Sequence, residues 1–261
     1  MKKVLIITYY WPPAGGPGVQ RWLKFVKYLR EYQIEPIVYI PENPEYPILD
    51  ESLNSEVPEN ITILKIKIFE PYFLAKLFSK KHTSIISSGI IADHKKQNLL
   101  QKLFLYIRGN FFIPDARKFW VKPSVDFLSD YISKHNITTI ITTGPPHSLH
   151  LIGLGLKQKH KIKWIADFRD PWTQIGYHEK LRLSKRSREK HLKLEKEVLS
   201  EANHIITTSF TTKAQFEKKT SCPITVITNG YDLLKQSEVP LDLQFTISHI
   251  GSLLSGRDPK N

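Results

Sequence analysis

The sequence predicts an α/β doubly wound fold: a Rossmann-like, mostly parallel sheet with helices on both faces. Three observations lead there. Residues 3–8 (KVLIIT) form the short, β-rich apolar run of a buried strand, and apolar residues at helical spacing follow it. The next strand, Pro36–Ile40, arrives soon enough to close a βαβ unit, hence a parallel pair. From Ile137 onward the same alternation of strand, loop and helix returns several times.

In order along the chain, the first strand breaks at Tyr9-Tyr10-Trp11-Pro12-Pro13-Ala14-Gly15-Gly16-Pro17-Gly18. Val19, Trp22, Leu23, Phe25, Val26 and Leu29 then mark one face of a helix to about Glu31. A Pro/Glu/Asn-rich loop fills 41–60, and 61–69 (ITILKIKIF) alternates as a half-exposed strand does. Residues 70–135 are less regular. Short amphipathic helices are predicted over Pro71–Lys81 and Leu99–Arg108, and another over Pro123–Lys134. The rhythm resumes with strand Ile137–Thr143, helix 148–159, strand Lys161–Ala166 and a long charged helix over Ser184–Glu201. Strand His204–Thr207, helix Thr211–Lys219 and strand Ile224–Ile227 complete it.

Composition narrows the class. Of 261 residues, 41% are hydrophobic and 24% charged, enough for an ordinary core and unlike a disordered chain. A single cysteine, Cys222, excludes an intrachain disulfide and a Cys-based metal cluster, and fits a reducing compartment. Met1-Lys2-Lys3 and Val4–Ile7 imitate a signal peptide, but the apolar run stops at Tyr9-Tyr10-Trp11-Pro12-Pro13. No stretch reaches the ~18 apolar residues of a membrane span. The expectation is a soluble or peripheral cytoplasmic protein.

Lys and Arg total 38 against 25 Asp and Glu, a formal charge of +13. Such a field attracts nucleic acid, an anionic membrane or phosphorylated small molecules, unless it is simply a solvated surface. The helix SKRSREKHLKLEKEVLSEA, with Glu189 and Lys193 paired at i,i+4, reads as solvated. No zinc finger, homeodomain-like helix or aromatic RNA-binding signature is present, so no nucleic-acid partner is expected. His160, His178, His191 and His204 fall on different elements, which predicts no metal site.

Doubly wound sheets bind ligands beyond the carboxyl ends of their strands, and the unusual residues sit there. Gly15, Gly16 and Gly18 let backbone amides approach a phosphate at a helix N-terminus, or serve a turn that needs glycine. Their spacing matches neither a dinucleotide fingerprint nor a P-loop. His147, stiffened by two prolines, suits a substrate hydroxyl or phosphate, or a structural role. Asp167-Phe168-Arg169-Asp170-Pro171-Trp172 offers carboxylates for sugar hydroxyls and an indole to stack on a sugar. The same stretch also fits a helix or turn start at Asp170-Pro171 with an Arg169 salt bridge. In 97–122, Leu103, Phe104, Phe111 and Phe112 lie among Lys102, Arg108, Arg117 and Lys118. That mixture suits the headgroup layer of an anionic bilayer, or an insertion packed on the core.

Together these motifs resemble the N-terminal domain of a GT-B-fold glycosyltransferase of family 4, over nearly the whole chain. The carriers are the Tyr10–Gly18 stretch, Ile113-Pro114-Asp115 with Trp120, Thr143-Gly144-Pro145-Pro146-His147-Ser148, Ala166–Trp172 and Thr228-Asn229-Gly230-Tyr231-Asp232. Phe245–Ser252 and Gly256-Arg257-Asp258-Pro259 look like the first strand and phosphate loop of the second GT-B domain. The resemblance implies an acceptor-side domain over 1–240 and the start of an otherwise missing donor-side domain over 241–261. It implies a fragment inactive by itself.

For the parent, the resemblance implies metal-independent, retaining transfer of a sugar in cell-surface polysaccharide synthesis. The donor is a nucleotide-diphosphate sugar, needing no further cofactor, and the acceptor a saccharide or a lipid-linked group. Gly15 and Gly16 would meet the donor diphosphate, and Arg257 would counter its charge. His147 would lie near the transferred sugar or the attacking hydroxyl, as a catalytic residue with Asp167. Arg169, Asp170, Trp172 and Asn229 would complete the substrate site. Two alternatives remain beside it. A Rossmann oxidoreductase would rest on Glu42 after the second strand, and a basic nucleic-acid- or membrane-binding module would have no catalysis at all.

Overall fold

The computed structural model describes residues 1–70, 99–175, 178, 181–232 and 242–248. Seven strands, β1 (Lys2–Ile7), β2 (Ile34–Pro41), β3 (Thr62–Ile66), β4 (Thr139–Gly144), β5 (Lys163–Phe168), β6 (His204–Thr207) and β7 (Ile224–Val226), form one sheet in the order β3-β2-β1-β4-β5-β6-β7. Every pairing is parallel. The predicted doubly wound class is therefore what the chain adopts.

The two-residue period of a strand sorts the core into two layers. Leu5, Ile7, Ile37 and Tyr39 face one side of the sheet, whereas Val4, Ile6, Val38 and Ile40 face the other. Helix α1 (Pro17–Leu29) covers the second side with Val19, Trp22, Leu23 and Val26. Burying each of these stabilises the fold by about 2 kcal/mol. Pro17 supplies a preset φ at the first helical position. A single 3₁₀ turn over Arg30–Tyr32 follows, and Gln33 in the left-handed region turns the chain into β2.

The opposite side is covered by α3 (Lys118–His135) and α4 (Ser148–Lys159), with contributions from α5 (Lys185–Glu201) and α6 (Phe210–Glu217). Helix α2 (Leu99–Phe111) precedes α3 and packs Gly109 closely on Leu181 and Leu183. Sequence places the start of α3 at Pro123, yet the helix begins at Lys118 and carries Pro123 inside. Packing explains the extension. Trp120 stacks on Tyr39 at 5.0 Å and 9°, and Tyr39 Oη donates to Ser124 Oγ at 2.7 Å. Those contacts outweigh the ladder bond that the proline removes.

The helix expected over Pro71–Lys81 lies outside the described residues, as does the whole phosphate-loop stretch Gly256-Arg257-Asp258-Pro259. Residues 245–248, expected to begin a further strand, join none here, and Phe245 and Ile247 are exposed. A strand without a neighbour has no ladder for its N–H and C=O groups.

Candidate functional site

The strand order reverses direction at β1, so the connections leaving β1 and β4 diverge at the carboxyl edge, the place where doubly wound sheets form their ligand crevice. Its β1 wall is the segment 8–16. Gly15 N–H donates to Ile48 O at 3.0 Å, Asp50 N–H donates to Pro13 O at 2.8 Å, and Ala14 bridges Leu49. A Cβ on Gly15 would strike Ile48 at 2.9 Å, so that glycine serves packing. Gly16 differs. It caps α1 at φ 103, a left-handed value suited to glycine, and nothing lies within 4 Å of its missing Cβ. No side chain caps α1; in its first turn Pro17 has no N–H, the Val19 and Gln20 N–H groups donate to Gly16 O at 3.1 and 3.3 Å, and the positive end of the helix dipole lies at this edge.

Gly18 has a third role. The position of its absent Cβ is filled by the Arg169 guanidinium. Arg169 also donates through Nη2 to Pro145 O, and its backbone N–H donates to Gly144 O at 2.9 Å. Thr208 Oγ1 donates to its carbonyl at 2.7 Å. One residue thus joins the exits of β1, β4, β5 and β6. Burial works against the Arg169 charge, opposed by Asp167 nearby.

Asp167 is the second junction. Its Oδ1 accepts from Arg21 Nη2 at 3.0 Å, and its Oδ2 accepts from Trp22 Nε1 and Thr143 Oγ1, both at 2.8 Å. Both side chains of the Arg21–Asp167 pair are inaccessible, at 1% and 0% exposure. Arg21 Nη1 continues to Thr228 O at 3.0 Å and Asn229 Oδ1 at 3.2 Å. Asn229 is thereby brought to the same edge.

Sequence reading puts Asp167, His147 and Trp172 in contact with a ligand, and the structure buries all three. Asp167 is consumed by three donors. Trp172 is 1% exposed, lies flat on His147 at 5.0 Å and 1°, and donates Nε1–H to His191 Nδ1 at 3.1 Å. It has no free face for a sugar. His147 is 4% exposed with neither ring nitrogen hydrogen-bonded, and burial holds its pKa well below the ordinary value. Neutral imidazoles surround it. His150 bonds Thr142 Oγ1 at 2.9 Å and is pushed down to about 3 by burial, then by Arg169. His191 is pushed down to about 4 by burial and by His178, whose ring lies edge-on at 4.6 Å. Asp170 is exposed at the rim.

Several residues have tasks that the sequence reading did not assign to them. Arg21 interrupts the apolar run of α1 beside Trp22, a position that a solvated cation would not take; that was the available signal. Asp115 caps α4 from another segment, accepting from Ser148 N–H at 2.8 Å and Ser148 Oγ at 2.9 Å. Behind the β1 wall, Tyr9 Oη donates to Glu70 Oε2 at 2.8 Å, and Arg117, expected among the cations of a membrane-facing surface, is instead buried and pairs with Glu70 at 2.9 Å. Among the described residues, no group of three or more His, Cys, Asp or Glu is placed to hold a metal ion.

No protein-family model matches the sequence, and no curated protein matches it significantly. Solved structures do. MurG of Acinetobacter baumannii matches at 11% identity over 92% of this chain and 51% of its own, with a TM-score of 0.43. A glycosyltransferase of Rickettsia africae matches at 14% identity over 87% and 42%, with a TM-score of 0.38. UGT2 of Phytolacca americana, complexed with UDP-2-fluoroglucose and pterostilbene, matches at 10% identity over 90% and 55%, with a TM-score of 0.46. The chain spans about half the length of these proteins.

Proposed function

We propose that this chain is the acceptor-side half of a glycosyltransferase of GT-B type, family 4-like, and that it is inactive without a donor-side domain. The observation that carries this reading is the β1/β4 crevice, where Gly16 is open and the uncapped first turn of α1 stands beside the Arg169 cation. That arrangement suits the diphosphate of a nucleotide sugar. Asp170 at the rim suits acceptor hydroxyls of a saccharide or lipid-linked group. Transfer is metal-independent and retaining, with the leaving phosphate assisting the incoming hydroxyl. Positioning and electrostatics carry the rate. Asp167 and His147 act by holding the crevice walls, because their polar atoms are spent or buried. Calorimetry with a panel of nucleotide-diphosphate sugars, paired with a radiolabelled transfer assay on this chain alone and joined to a donor-side domain, tests the reading. Tight binding or turnover by the 261-residue chain alone overturns it.

A specific surface favours peripheral membrane attachment of the same protein. Leu99, Leu103 and Tyr106 stand exposed at i, i+4 and i+7 of α2, with Phe111 and Phe119 exposed nearby. Lys118 lies over the rings of Phe112 at 5.4 Å and Phe119 at 4.9 Å. Apolar side chains edged by cations suit an anionic leaflet, each cation contributing about 1 kcal/mol. No described helix is long and apolar enough to cross a membrane. Vesicle flotation should retain the protein on anionic and not on neutral lipid; equal retention on both contradicts docking.

A further inference from the structure

The chain leaving β7 does something that neither the sheet nor the crevice requires. β7 is the edge strand, four positions from β1, roughly 19 Å across at the usual strand spacing. From there the chain turns back over the sheet. Ile227 N–H donates to Thr207 O of β6 at 2.9 Å. Thr228 and Asn229 then meet Arg21, which is itself fixed to Asp167 of β5. Three residues on, Asp232 reaches further along α1. It accepts from Lys24 Nζ at 2.8 Å and Tyr28 Oη at 3.1 Å, with Lys27 Nζ at 3.5 Å.

The helix is built for this. Arg21, Lys24 and Tyr28 recur at i, i+3 and i+7, one stripe of an α-helix. The two ends of the contact differ in kind. At the Arg21 end the strap meets a guanidinium that is desolvated and paired with Asp167, although Thr228 and Asn229 themselves are exposed. At the Asp232 end the partners are a quarter to nearly half exposed, and the attraction is open to screening by salt.

We propose that residues 228–232 are an ionic strap with one fixed end at Arg21 and one releasable end at Asp232. The strap holds residues 228–232 along α1, the helix whose N-terminus forms the crevice wall. Release at Asp232 frees the far end of this segment while Arg21 keeps its near end anchored. The depressed pKa of the Asp232 carboxyl, set first by its bond to Lys24, accords with an intact strap at neutral pH. These contacts lie wholly within the described chain and do not rest on the transferase reading. If that reading holds, the strap governs how a following domain is set against the crevice.

The test is a distance distribution between spin labels at Glu31→Cys and Tyr231→Cys in a Cys222→Ser background, two exposed sites on the helix and the strap. In about 0.05 M salt the distribution should be narrow. Asp232→Asn and Lys24→Gln should each at least double its width, and Lys196→Gln, a cation elsewhere on the surface, should leave it unchanged. In the unsubstituted strap, 1 M salt, which shortens the screening length to about 3 Å, should broaden it likewise. The salt arm decides the matter should a variant melt early. A distribution already broad at low salt, or one that neither Asp232→Asn nor salt widens, overturns the strap. Sugar transfer is not read at any point, so either proposal can fail while the other stands.

Discussion

Replacing Asp167 by leucine tests the reassignment of this residue from ligand contact to brace. The substitution deletes the acceptor for three buried donors at once: Arg21 Nη2, Trp22 Nε1 and Thr143 Oγ1. Breaking a buried ion pair by removing one partner costs about 3–5 kcal/mol, since the remaining charge stays desolvated. Each neutral donor left without a partner adds about 1 kcal/mol or more. Arg21 keeps Thr228 O and Asn229 Oδ1, which places the sum at about 4–6 kcal/mol. That is much of the ~5–15 kcal/mol stability of an ordinary domain. Arg21→Met should cost less, because Trp22 and Thr143 still satisfy the carboxylate. The double variant should be milder than the sum of the two by about 2 kcal/mol or more. Urea unfolding, with midpoints compared at constant slope, measures all three. A loss below ~1 kcal/mol for Asp167→Leu, or strict additivity, would refute the brace.

The imidazoles around Trp172 make stability depend on pH. His147, His150, His178 and His191 all have folded pKa values below the ordinary one, so the unfolded chain binds more protons as pH falls below about 6.5. Their stabilisation is full above pH 6.5 and is lost toward pH 4, at about 1.4 kcal/mol per pH unit for each ring. Urea midpoints at pH 7 and pH 5 should therefore differ sharply, and equal midpoints contradict the burial of these rings. Gly18→Ala should destabilise by about 1–3 kcal/mol, as its methyl displaces the Arg169 guanidinium; an unchanged melting temperature would show that the guanidinium moves freely. Asp115→Ala should cost about 1–2 kcal/mol through loss of the α4 cap, seen as earlier melting, with no effect if water replaces the carboxylate fully.

The sheet was legible because its strands are short apolar runs separated by Gly/Pro punctuation, and β1 through β7 fall within a few residues of where those runs lie. Helix α3 was misplaced because a local rule about Pro123 was outweighed by the stacking of Trp120 on Tyr39, a contact 81 positions apart in sequence. At the candidate site, strand exits named the right neighbourhood but not each residue's task. Asp167 and Trp172 have the chemistry of sugar ligands. Only the positions of Arg21 and His147 reveal that this chemistry is already used. Gly15, Gly16 and Gly18 look alike in sequence, yet one packs on Ile48, one opens to solvent and one makes room for Arg169.

The central claim is that this crevice is one wall of a two-domain sugar-transfer site. Affinity for a nucleotide-diphosphate sugar, measured by calorimetry side by side on the 261-residue chain alone and on the same chain joined to a donor-side domain, tests it most directly. Without base and ribose contacts the chain alone should bind about 3–6 kcal/mol more weakly, roughly two to four decades in affinity. With a donor-side domain present, the proposed site should bind and transfer. Equal affinity in the two, or no binding of any sugar nucleotide with that domain present, would contradict the account.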